Sequence, residues 1–136
     1  MASSSRRLCL VMVLAAGALS ACGGSGGGSN GPATAGISYL ASTSSSPAVV
    51  FDSVTYDDGH GTLIKVNAPG TTWTKTFSTT IPASAEAHLY GHSTGAGSAR
   101  LVVNWSTGSA NAGDSTTATI PGATAHWHAD IPHHAI

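Results

Sequence analysis

Histidine is the side chain most able to do chemistry in this chain, and there are seven of them. An imidazole can bind a metal, carry a proton or pair with a carboxylate near neutral pH. His126 and His128 are two apart. On a strand, that spacing sends both rings off the same face about 7 Å apart. Two imidazoles so placed suit one Zn or Cu ion, and Asp130 continues the row. His88 and His92 share a face of another predicted strand with Glu86 and Tyr90, and one of them is the candidate third ligand if the two strands are neighbours. The simpler expectation is that these histidines are the solvated polar face of a domain with few lysines and glutamates. No His-Glu-x-x-His pattern supports a metal site. Gly91-His92-Ser93-Thr94-Gly95 fits the Gly-x-Ser-x-Gly spacing of an esterase nucleophile. That motif works on a strained strand-to-helix turn. No helical segment follows it here, so it reads as a turn, and no catalytic residue is expected. Nothing else in the chain suggests an enzyme.

The second reactive group is Cys22, at the end of Leu19-Ser20-Ala21-Cys22. Arg6 and Arg7 precede an apolar run from Leu8 to Leu19. Twelve such residues are too few to cross a hydrocarbon core, which needs about 20 in a helix. They suit the apolar region of a signal peptide followed by small residues at a cleavage site. The stretch resembles the lipobox of bacterial lipoproteins. The resemblance implies cleavage after Ala21 and acylation of Cys22, whose thiolate is a strong nucleophile. One chain holds a membrane marginally and two or more hold it stably. The expected cofactor is thus covalent lipid, the expected partner is membrane lipid, and the expected location is a cell membrane or outer membrane, facing the periplasm or the exterior. Gly23, where an Asp favours inner-membrane retention in enterobacterial lipoproteins, leans towards the outer membrane of a Gram-negative host.

Four segments follow: a signal peptide at 1–21, the lipidated Cys and a Gly/Ser-rich tether at 22–35, a domain at 36–131 and a tail at 132–136 that carries His133 and His134. Nine Gly/Ser residues span roughly 15–18 Å as a coil, which keeps the domain near the surface. About 100 residues suffice for one small core. That part has three cations (Lys65, Lys75 and Arg100) against six acids, a net −3 with histidine neutral. Without a basic cluster, nucleic acid is excluded as a partner. Cys9 leaves with the signal and Cys22 carries lipid, so the folded part has no disulfide.

The elements that must position these residues read as strands. Alternation with period two runs through Trp73–Thr79, Ser98–Trp105 and Ala123–Ile131. In the last, Ala125, Trp127, Ala129 and Ile131 oppose His126, His128 and Asp130. The apolar parity of Val49–Tyr56 shifts near Asp52-Ser53, which suggests a bulge. Asp57-Asp58-Gly59-His60-Gly61 reads as a hairpin loop, and 68–70, 91–97, 107–113 and 121–122 as further turns. Pro82–His88 is open to a helix start, but glycines at 91 and 95 favour a strand from about Ala85 to His92. Trp73, Phe77, Trp105 and Trp127 are the expected core. The expected fold is all-β: a small antiparallel immunoglobulin-like β-sandwich of seven to eight strands.

Asp52–Gly59, Trp73-Thr74-Lys75-Thr76-Phe77 and Ala99–Gly108 resemble, in order, segments of the MmpS family of small mycobacterial membrane proteins. The resemblance covers about residues 37–130. It implies a sandwich outside the membrane that acts as a non-catalytic accessory to an envelope transporter. Those proteins keep an uncleaved membrane helix and often a Cys pair; this chain has a lipobox and no such pair.

Overall fold

The computed structural model describes residues 31–44, 48–108 and 110–136. These residues form eight strands and no helix: β1 (Thr34–Thr43), β2 (Val49–Asp57), β3 (Leu63–Gly70), β4 (Thr72–Thr80), β5 (Ser84–Ser93), β6 (Gly97–Thr107), β7 (Ala110–Ile120) and β8 (Thr124–Ala135). Valine, threonine and the aromatics fit a pleated, half-buried surface. The Gly, Pro and Asp clusters between them end each run. The strands make two four-stranded antiparallel sheets, ordered β4-β1-β6-β7 and β3-β2-β5-β8. The sheets pack face to face, as expected of the sandwich. Only β2–β3 and β6–β7 are hairpins within one sheet; every other link passes to the opposite sheet. Between β3 and β4 that passage is Thr71 alone.

The core fills the space between the sheets. Ile37, Tyr39 and Ala41 of β1 and Leu101 and Val103 of β6 meet Phe51 and Val54 of β2, Leu89 of β5 and Ile131 of β8, all fully buried. Of the aromatics expected here, Trp127 is buried, while Trp73, Phe77 and Trp105 are half-buried and pack on the core from its margins. Tyr39 and Tyr56 occupy the centre instead, with ring centroids 5.5 Å apart and Phe77 and Trp73 against them. Ala125 lies at the start of β8 and is exposed.

The bulge in β2 is present. Register shifts between Phe51 and Ser53 in both of its pairings, so Val49 and Phe51 point inward before it and Val54 and Tyr56 after it. Pro82–His88 resolves as the start of β5. Three boundaries differ from expectation. β1 begins at Thr34, inside the stretch assigned to the tether. β7 runs through most of the stretch assigned to a turn at 107–113. Residues 132–135 are not a tail but the end of β8, paired with β5 through Ala85–His134 and Ser84–Ala135. Pro132 is accommodated because the register shifts there, on an edge strand where a missing N–H costs little.

Candidate functional site: a histidine–carboxylate array on one sheet face

β5 and β8 are neighbours, with His88 opposite Asp130 and Tyr90 opposite His128. Alternation then puts Glu86, His88, Tyr90 and His92 of β5 on the solvent face beside His126, His128 and Asp130 of β8. The bulge in β2 turns Asp52 to the same side. The two histidine pairs expected from spacing therefore lie on one face.

What they meet is carboxylate. His88 Nδ1 lies 2.8 Å from Asp130 and its Nε2 lies 2.9 Å from Glu86. Both contacts are donations from the ring, which requires the doubly protonated form. Burial pushes its pKa down, but the hydrogen bonds to Asp130 and Glu86 outweigh this and the net shift is upward from 6.5. His92 Nδ1 is 2.9 Å from Asp52. His128 and His133 flank the centre, each 3.6 Å from an oxygen of Asp130 and Glu86 respectively. Tyr90 sits between the rings of His88 and His128, with centroids 6.4 and 6.5 Å away. It is 45% exposed. Asp52, Glu86 and Asp130 on this face thus each have a histidine partner, in place of the Lys or Arg usual at such positions.

His134 makes a separate pair. It lies 2.9 Å from Asp114 of β7 and against Trp105, so it links the two sheets at one margin. His60, in the β2–β3 loop, bonds Thr79 of β4 at 2.7 Å.

Among the described residues, no three of the His, Asp and Glu side chains converge as metal ligands. The four candidate ligands share a face without forming a cage. Ser93 of the Gly-x-Ser-x-Gly spacing is buried at the end of β5. Its hydroxyl donates to the Gly122 carbonyl at 3.0 Å and accepts from the Thr124 amide at 3.1 Å. It fixes the link before β8 and is not displayed as a nucleophile. Cys22 lies outside the described residues.

Asp52 and His133 are the members of the array that the sequence reading missed, His133 because it was assigned to a tail. For Asp52 the signal was the parity shift itself: carried through that position, it places the carboxylate outward beside β5. No protein-family model, curated protein or solved structure matches this chain.

Proposed function

We propose that this chain is a lipid-anchored, non-catalytic module of the bacterial cell envelope that presents a β-sandwich to a partner at the membrane surface. The observation that carries this reading is Leu19-Ser20-Ala21-Cys22 with its basic and apolar flanks, followed by a Gly/Ser-rich stretch that ends where β1 begins at Thr34. A binding role is supported by how the reactive side chains are used. Ser93 holds a loop, and the acids of the array are matched by histidines, which suits a recognition face better than a reaction centre. An envelope transporter is the partner class that the MmpS resemblance supplies. Metabolic labelling with a fatty-acid analogue tests the anchor. The wild type should incorporate label, and Cys22→Ser should not. An unlabelled wild type would overturn the reading.

The second reading is Zn or Cu bound through His126 and His128, with His88 or His92 as a third ligand. In its favour is the pairing of β5 with β8. Against it, His88 would have to release one of its two carboxylates to free a ring nitrogen for the metal. Equilibrium dialysis against zinc tests it: stoichiometric binding lost in His126→Ala/His128→Ala supports the site, and none in the wild type dismisses it.

A further inference from the structure

The opposite face of the sandwich has a different chemistry. Outward positions of the β4-β1-β6-β7 sheet are mostly Ser and Thr, and a shallow open groove runs between β6 and β7. Its volume is about 360 Å³, and Arg100, Val102, Asn104, Gly113, Asp114 and Ser115 line it. The register explains the shape. Val102 faces Ser115 and Asn104 faces Gly113 across the strand pair. Gly113 leaves room for the Asn104 amide, since a Cβ there would stand 2.6 Å from Asn104 Oδ1.

We propose that this groove binds an acidic sugar unit, that is, a carboxylate carried on a hydroxylated ring. Arg100 supplies the charge. Among the described residues its guanidinium has neither an ion-pair nor a hydrogen-bond partner, so its donors are free. A planar guanidinium matches a carboxylate with two parallel hydrogen bonds. Asn104 and Ser115 offer both donors and acceptors to ring hydroxyls. Val102, half-buried between them, offers an apolar patch to the C–H face of a ring. Asp114 also lines the groove and keeps its negative charge, but its oxygens are already taken. Its carboxylate is engaged by His134 on the inner side and by the Ser115 amide. The volume falls at the low end of small-ligand sites, which span roughly 300–1,000 Å³, and fits one sugar ring. An open groove of this size, holding one ring, binds a monomer weakly. This site is independent of the anchor.

The test uses residues 31–136, which contain the entire core described above. Amide chemical shifts are followed on titration with glucuronate, glucose and acetate. Glucuronate should move amides of 100–104 and 113–117 and saturate, and glucose and acetate should each bind at least about tenfold more weakly. Arg100→Gln, at an exposed position, should keep its dispersed spectrum and lose the glucuronate response. Shifts by acetate equal to those by glucuronate, an unchanged response in Arg100→Gln, or no localised shift at tens of millimolar glucuronate would each overturn the proposal.

Discussion

Asp57 has the most demanding single position in the molecule. It is fully buried, yet it carries a carboxylate. Oδ1 accepts from the amides of Gly59 at 2.7 Å and Gly61 at 2.9 Å, and Oδ2 accepts from the Ser84 hydroxyl at 2.5 Å. Tyr39 donates to its backbone carbonyl at 3.1 Å, and burial pushes that phenol's pKa far up, with Asp57 adding to the shift. Asp57→Ala would leave buried donors unpaired, and hydrogen bonds to a charged group count about 1.5–3 kcal/mol each. Chemical denaturation should therefore show a loss of at least about 3 kcal/mol, and a loss under 1 kcal/mol would contradict this role. His88 gives a pH-dependent prediction. Its folded pKa is raised above the unfolded 6.5, so its contribution is complete below about pH 6.5 and fades as pH rises through the folded value. His88→Gln should flatten the change of Tm between pH 6 and 8; a variant with the wild-type slope would show that the pairing is idle. Asp114 works in the opposite sense. Its carboxyl is held below 3.8 by His134 first and the Ser115 amide second, so that contribution is lost only in acid below about pH 4.

At the scale of the strand, Gly91 decides whether β8 can dock. It pairs with Phe51 on one side and Trp127 on the other. A Cβ there would collide with the Val50 carbonyl and the Trp127 ring, whose Cε2 would be 2.7 Å away. Gly91→Ala should cost several kcal/mol, beyond the roughly 1–3 of ordinary overpacking, because one of the colliding atoms is backbone. Equal Tm values for Gly91→Ala and wild type would rule out this packing. The strands most legible in the sequence were those with apolar residues on one parity only. β8 was readable for that reason, β6 through Ala99, Leu101, Val103 and Trp105 despite Val102, and β2 through its apolar run and the parity shift at its bulge. β1 was not, because exposed Leu40 sits between buried Tyr39 and Ala41 and hides the alternation. β7 was not, because its inner face is built from Asp114, Thr116 and Ala118, which carry no strong apolar signal. The array followed the same logic. Same-strand neighbours such as His126 and His128 could be read directly. The pairing of His88 with Asp130 could not, since it depends on which strands become neighbours.

For the whole molecule, the described residues hold three cations, six acids and all seven histidines. Their net charge is −3 with histidine neutral and +4 with all of it protonated. The sign therefore reverses between neutral and mildly acidic pH as histidine takes up protons. Electrophoretic mobility of residues 31–136 should change direction in that window, and an anionic protein at pH 5 would contradict it. Most of the histidines lie on the β3-β2-β5-β8 side, while Arg100 stands on the outward face of the hydroxyl-rich sheet.

The chain that follows Cys22 enters the fold at Thr34, and β1 lies inside its sheet with β4 on one side and β6 on the other. Under the anchoring proposed above, a pull on the domain enters at the start of β1. Drawn along its own axis, β1 shears the hydrogen bonds of both ladders together. On an edge strand pulled crosswise, the same bonds would open one after another, like a zip. Under that anchoring, the strand that first takes the load is thus an inner one, bonded on both sides, and the domain resists most where it would be drawn along β1.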